Sequence, residues 1–341
     1  MIQEVLRKVV SGRNLSRREA QAVMTEMMEG KVTPSQTASL LTSLRMKGET
    51  VEELIGFAQG LRSHATQVYH DLPQVVDTCG TGGDGGKTFN ISTAAAFVAA
   101  AAGVPIAKHG NRAVSSKSGS ADVLEALGMD IRLNAKEAQH LLFQTGLCFL
   151  FAPLFHQAMK HVMPTRTELG FRTCFNLLGP LANPAGVKIQ LLGVYDPSLT
   201  ENVARVLLEL GIERALVVAG LDGLDEITVT APTRMSEVIE GEVKTYEVTP
   251  EQLGVNTAPI EAIAGGDAGF NARLIRGILN GQPGAPRDVV LVNAGAAIYL
   301  AGRASSIREG VHLAAQAVDS GKAKEKLAEV VHFSREVRYV S

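Results

Sequence analysis

At 341 residues, with 45% hydrophobic and 20% charged content, the chain has room for one large domain and a smaller one. A formal net charge of -2 gives no support to a nucleic-acid surface, and the longest alanine-rich run, residues 94–103, is too short to span a bilayer. Cys79, Cys148 and Cys174 are far apart, lack metal spacing and read as reduced thiols of a cytoplasmic protein. The charged, amphipathic segment after Met1 predicts no signal peptide.

The first sixty-odd residues read as helices only. Ser16 with Glu19, Thr33 with Gln36 and Thr50 with Glu53 form capping boxes, in which each hydroxyl satisfies an orphan N–H and the acid or amide reaches back. Pro34 falls at a first helical position, where its missing donor costs nothing. Val23, Met24 and Met27, then Leu40, Leu41 and Leu44, recur at helical spacing, with Gly30 and Gly48 as stops. This predicts a small helical bundle.

From about Asp71 the texture becomes α/β. Residues 75–79 and 104–108 read as strands, and 92–102 and 120–127 as helices. Strand signals follow at 189–195, 215–219 and 227–230, with a helix over 202–210. Alternation with short links predicts a mainly parallel sheet covered by helices. Residues 164–184 are irregular and rich in Pro, Gly, Asn and Arg, either a return to the bundle or a hinge. Residues 236–248 predict strands turning at Gly241, and 288–301 a buried helix. The expected division is therefore 1–70, joined by about 165–188, as a helical domain, with 71–164 and 189–341 as the α/β domain.

Residues 77–86 read D-T-C-G-T-G-G-D-G-G, with five glycines between Gly80 and Gly86. Backbone without Cβ atoms turns tightly and offers several N–H groups to one anion. The run fits neither the dinucleotide pattern nor the P-loop. N-I-S-T follows at Asn90–Thr93, and either Ser92 or Thr93 caps the next helix, whose free N–H groups suit a phosphate. A second loop carries Lys108, Asn111, Arg112, Ser115, Ser116, Lys117, Ser118 and Ser120. Either Ser118 or Ser120 is an N-cap there. Lys108 either pairs with a phosphate or forms a surface salt bridge. His109 reads more readily as a shape or hydrogen-bonding residue than as a general base.

Asp222, Asp225 and Glu226 stand in G-L-D-G-L-D-E, either a solvated acidic turn or a Mg²⁺ site, since that ion takes few protein ligands and bridges to phosphates. Arg166, in P-T-R-T-E-L-G, is a two-pronged donor suited to a carboxylate. His156 and His161 are five apart, the wrong spacing for a zinc helix.

The segments G-T-G-G-D, N-I-S-T, K-H-G-N-R-A-V-S-S, G-S-A-D-V-L-E-A-L-G, R-T-E-L-G-F-R-T-C-F-N-L-L-G-P-L-A-N-P and G-L-D-G-L-D-E, in that order, resemble the anthranilate phosphoribosyltransferase family. The resemblance covers nearly the whole chain. Departures are slight, such as Cys79 where an aliphatic residue is commoner.

This resemblance implies phosphoribosyl transfer from 5-phosphoribosyl 1-pyrophosphate (PRPP) to the amine of anthranilate, a step of tryptophan synthesis. It also implies a fold like that of class II nucleoside phosphorylases and a homodimer joined through the helical domains. By position it assigns Gly80, Gly83, Asp84, Thr88, Asn90, Ile91, Ser92, Thr93, Lys108, Ser116 and Ser120 to PRPP. Gly80, Asn111 and Arg166 go to anthranilate, and Ser92, Asp225 and Glu226 to Mg²⁺. Neither a nucleic-acid nor a membrane partner is expected. The alternatives are a pyrimidine nucleoside phosphorylase and an inactive nucleic-acid-binding relative. The K-H-G-N-R loop and Arg166 argue against the first, and Asn111, Arg166, Asp225 and Glu226 with the slightly acidic net charge argue against the second.

Overall fold

The computed structural model describes residues 1–82, 88–113 and 117–337. It opens with α1 (Ile2–Val10), α2 (Arg17–Met28), α3 (Pro34–Lys47) and α4 (Val51–Arg62). The capping boxes at Ser16, Thr33 and Thr50 all form, and Pro34 takes the first turn of α3. The apolar stripes of α2 and α3 are buried in one shared core, as their spacing predicts.

The α/β part begins with β1 (Val76–Gly80), α5 (Ile91–Ala101), β2 (Ile106–Gly110), α6 (Ser120–Leu127), α7 (Ala135–Thr145) and β3 (Leu147–Phe151). Next come α8 (Ala152–Phe155), α9 (Met163–Leu169) and α10 (Phe175–Leu178). Much of the stretch read as irregular is thus short helix, and Phe175, Leu177, Leu178 and Leu181 join the core that α1–α4 build. The chain continues with β4 (Ile189–Gly193), α11 (Thr200–Glu209), β5 (Arg214–Gly220), β6 (Thr233–Ile239) and β7 (Glu242–Val248). It ends with α12 (Ala268–Leu279), α13 (Ala285–Leu300), α14 (Ile307–Asp319) and α15 (Lys322–Glu336).

The seven-stranded sheet has the order β3-β2-β1-β4-β5-β6-β7. All pairs from β3 to β5 are parallel, and β6 and β7 are antiparallel. The β6–β7 hairpin turns at Glu240 and Gly241, both at positive φ, as this tight connection requires. It starts at Thr233, three residues before the alternation becomes visible.

Side chains on the central strands alternate between two cores. Leu191, Leu216 and Val218 face a core shared with α5 and α13, while Leu192, Val217 and Ala219 face the helical bundle and α11. The residue 288–301 run is a buried helix, α13.

The expected strand at 227–230 does not form. Asn293 of α13 occupies both backbone groups of Ile227, and the Thr228 and Thr230 hydroxyls close on Asp222 instead of presenting a ladder edge. The segment is apolar because Ile227 and Val229 enter the core from a loop.

Candidate active site at the sheet switch point

The chain leaves β1 toward β2 and β3, and later returns to β1's other side as β4. Parallel sheets bind ligands at the carboxyl ends flanking such a reversal. Here those ends are glycines: Gly80 and Gly193 pair across the reversal, Gly110 ends β2 and Gly220 ends β5. The glycine loop and the acidic turn therefore share one edge.

The described part of the first loop is pinned to that edge. Thr81 N–H donates to Gly193 O at 2.9 Å, and the Thr81 hydroxyl accepts from Tyr195 N–H at 3.1 Å. Gly82 N–H then donates to Asp225 Oδ2 at 2.7 Å. The loop returns at Thr88, bridged antiparallel to Ala264. Gly83, Asp84 and Ser116 lie outside the described residues.

The next helix starts at Ile91 with Asn90 as its cap residue, not Ser92 or Thr93. Ile91 is a core residue, so helix entry is set by burial. Ser92 falls within the first turn, and its N–H donates to Glu226 Oε1 at 3.1 Å. Thr93 is buried, and its hydroxyl has no hydrogen-bond partner among the described residues.

Lys108 is not a surface residue. Only 3% of it is exposed, and its ammonium donates to the Thr78 carbonyl and, at 3.2 Å, to Ser92 Oγ. Burial lowers its pKa, opposed by the negative charge of Asp77, Glu226 and Asp225. Asp77 is buried too, with a carboxyl pKa raised by desolvation, and accepts from His109 N–H at 3.1 Å and Gln190 Nε2 at 3.3 Å. His109 packs 5.1 Å from His156, centroid to centroid. Burial pushes its pKa down to about 3, so the ring is neutral near pH 7.

In the second loop the helix cap is Gly119, not Ser118 or Ser120. Asp122 Oδ2 takes the Gly119 and Ala113 N–H groups, so a carboxylate on the helix closes the loop and no hydroxyl is needed. Ser120 Oγ donates to the Asn111 carbonyl at 3.1 Å. Arg112 pairs with Asp122 at 2.8 Å and Glu125 at 2.6 Å, so its charge is committed within the protein. Asn111 is exposed, with its amide oxygen accepting from Arg112 N–H at 2.7 Å.

The acidic turn divides by role. Asp222 accepts from Leu224 N–H and from the Thr228 and Thr230 hydroxyls, which makes it a structural clasp. Asp225 and Glu226 instead meet Gly82 and Ser92. The carboxylates and Ser92 Oγ form an all-oxygen donor set of the kind Mg²⁺ prefers. A Cβ on Gly80 would overlap Asp225 Oδ2, so the glycine leaves room for the acid.

Arg166 stands on α9, which packs on α3. Its guanidinium lies 5.0 Å above the Phe175 ring and 3.6 Å from Met163 Sδ. No ion pair engages it among the described residues. Burial lowers its pKa.

The structure thus brings Gly80, Ser92, Lys108, Asp225 and Glu226 together, with Thr88 and Asn90 flanking them. Asp77, Gln190, Asn271 and Asn293 support the site and escaped sequence reasoning. For Asn293 a signal existed: one amide inside V-L-V-N-A-G, an otherwise apolar helix.

Residues 3–65 match a glycosyl transferase family's helical bundle domain, and residues 72–324 match its a/b domain. Fold and site together define a glycosyl transferase of that two-part type. An anthranilate phosphoribosyltransferase of Brevibacillus brevis is 56% identical over 334 residues, 98% of either chain. The crystal structure of anthranilate phosphoribosyltransferase from Thermus thermophilus has a TM-score of 0.92 and 44% identity, covering 97% of this chain and 99% of that one. The Saccharomyces cerevisiae enzyme, in complex with PRPP and Mg, has a TM-score of 0.90 and 28% identity over 98% of either chain. The chain belongs to the anthranilate phosphoribosyltransferase family.

Proposed function

We propose that this chain transfers the phosphoribosyl group of PRPP to the amine of anthranilate, forming N-(5-phosphoribosyl)anthranilate and pyrophosphate. The observation that carries the reading is the meeting of Lys108, Ser92, Asp225 and Glu226 at the Gly80–Gly193 switch point. A cation and hard-oxygen ligands side by side suit a substrate with several phosphates.

Ser92, Asp225 and Glu226 would hold Mg²⁺, which when bound supplies charge neutralisation to a leaving diphosphate. Gly80, Gly83, Asp84, Thr88, Ser116, Ser120 and the Asn90–Thr93 helix start cradle PRPP through backbone N–H groups and hydroxyls. Lys108, whose charged form is favoured by the negative charge of Asp77, Glu226 and Asp225 against its burial, offsets negative charge that grows as the C1–O bond breaks. Arg166 grips the anthranilate carboxylate, and Asn111 with Gly80 orients the amine toward C1. An arylamine is neutral at pH 7, so attack needs no prior deprotonation, and the proton leaves afterwards to pyrophosphate or water.

The helical part, residues 1–70 with about 165–188, acts as one unit and the α/β remainder as the other. Two copies pair through the helical parts, a reading supported by Val10 at 67% and Met46 at 85% exposure there. The buried thiols of Cys79, Cys148 and Cys174 suit the cytoplasm. No helix among the described residues is long and apolar enough to cross a membrane.

The test is to follow anthranilate fluorescence with PRPP and Mg²⁺. Loss of signal only when both are present supports the reading. An unchanged signal at micromolar enzyme removes it.

A further inference from the structure

Asn271 of α12 is 1% exposed and lies outside every motif that carries the family resemblance. Its Oδ1 accepts from Gly266 N–H at 2.8 Å. A backbone N–H can only donate, which fixes the amide's orientation and turns Nδ2 toward Asn90 Oδ1, 3.0 Å away. Asn90 Nδ2 must then face the Ser118 carbonyl, which can only accept, at 3.0 Å. The groups form one relay of matched donors and acceptors with a fixed direction. It runs from the segment before α12, through the first residue of N-I-S-T, into the second loop.

The same segment also braces the first loop. Ala264 forms the antiparallel bridge to Thr88, and a Cβ on Gly265 would overlap the Thr88 carbonyl. Residues 264–271 thus touch the return limb of one loop and the residue that caps α5, and reach the second loop through Asn90.

We infer that Asn271 is a positioning residue: it locks the α5 start and the second loop into the relative placement that a bound sugar diphosphate requires. This rests on the assignment of those loops to PRPP. Asn90's amide is already committed on both sides, so its side chain serves as the middle of this relay. Removing Asn271 takes its donor away from Asn90 Oδ1 and leaves the Asn90–Ser118 link without its anchor in residues 264–271, whereas Arg166 on α9 is untouched. The carboxylate anchor of anthranilate is thus spared, so the effect falls more heavily on PRPP than on anthranilate, whose amine meets Asn111 in the second loop.

The variants Asn271→Asp and Asn271→Ala test this. Aspartate keeps the acceptor for Gly266 N–H and the side-chain shape, but sets an oxygen against Asn90 Oδ1. Expected is a rise of roughly tenfold or more in the PRPP KM, the scale of one buried hydrogen bond lost, with a clearly smaller rise in the anthranilate KM. Equal rises in both KM values, or a PRPP KM within twofold of wild type in a folded variant, overturn the inference. Hydrogen exchange of the wild-type protein supplies a measurement independent of variant folding. Addition of PRPP with Mg²⁺ is expected to protect peptides covering 264–272 together with 88–92. Protection at 88–92 without any at 264–272 also overturns it. No protection anywhere, with no turnover, would instead count against PRPP as the substrate.

Discussion

Gly193 and the carbonyl of Asp225 approach so closely that a Cβ at 193 would overlap the backbone of the acid. Gly193 ends β4 and pairs with Gly80, so a side chain here would push Asp225 away from Gly82. Gly193→Ala is expected to destabilise the protein by about 1–3 kcal/mol, the range of overpacking. It should also reduce turnover more than a comparably destabilising change in α14. Chemical denaturation and steady-state kinetics on the same samples check this. A variant with wild-type stability and turnover would mean that the turn has slack.

Asp225 and Glu226 each have two jobs in the proposed mechanism, binding a divalent cation and holding backbone N–H groups of Gly82 and Ser92. Asparagine and glutamine keep acceptor oxygens for the N–H groups but lose the charge. The double change Asp225→Asn, Glu226→Gln is therefore expected to keep the fold while lowering kcat/KM roughly 100-fold and moving the Mg²⁺ activation midpoint upward. Titrating activity against Mg²⁺ concentration gives the answer, and an unmoved midpoint would remove both acids from the metal site.

Arg166 is a half-buried guanidinium that stacks on Phe175 and has no ion-pair partner among the described residues. Arg166→Ala is expected to raise the anthranilate KM roughly 10- to 100-fold, as charge-assisted hydrogen bonds to a carboxylate are lost, with a much smaller effect on the PRPP KM. Arg166→Lys should recover only part, because a lysine cannot bind two-pronged. Equal effects on both substrates would relocate the acceptor pocket.

The helical bundle and most of the sheet were legible because their signals are local. A capping box is complete within four residues, and a parallel strand shows itself as a short apolar run. β3 went unread, although L-C-F-L-F is such a run, and the other failures came where partners are distant in sequence. Residues 227–230 look like a strand, but the groups that prevent a ladder there are Asn293 and Asp222. Ser92 looks like a cap, yet its N–H is taken by Glu226 and helix entry is set by the burial of Ile91. The site's chemistry was readable through glycines, acids and Lys108, whereas burial of Lys108 beside Asp77 was not. That depends on β1 and β2 lying side by side.

His109 sits beside Lys108 in sequence and tempts a general-base role. Its pKa, pushed down to about 3 by burial, makes it a poor proton acceptor near pH 7, and its Nε2 has no hydrogen-bond partner among the described residues. His109→Ala is expected to lower kcat at saturating substrates by less than about tenfold. General-base catalysis would make the loss about 100-fold or greater. Single-turnover measurement with both substrates saturating separates these outcomes.

The same burial predicts how stability depends on pH. The folded state keeps His109 and His156 neutral, with pKa values pushed down by desolvation to about 3 and about 4. In the unfolded chain both rings take protons near the ordinary value of about 6.5. Above that pH neither state binds the protons and the stability contribution is complete. As pH falls below about 6.5 the unfolded chain binds protons that the folded protein refuses. Stability therefore declines, on the order of 2 kcal/mol for each ring by pH 5, until the folded pKa values are reached. Urea midpoints at pH 7.5 and pH 5.5 should differ clearly in the wild type, and by less in His109→Gln, whose amide does not titrate. The same difference in wild type and variant would show that the acid sensitivity resides in groups other than His109, and not in carboxylates such as Glu19, which, held down at about 2 by the hydrogen bond to Lys8, are ionised in both states over this range.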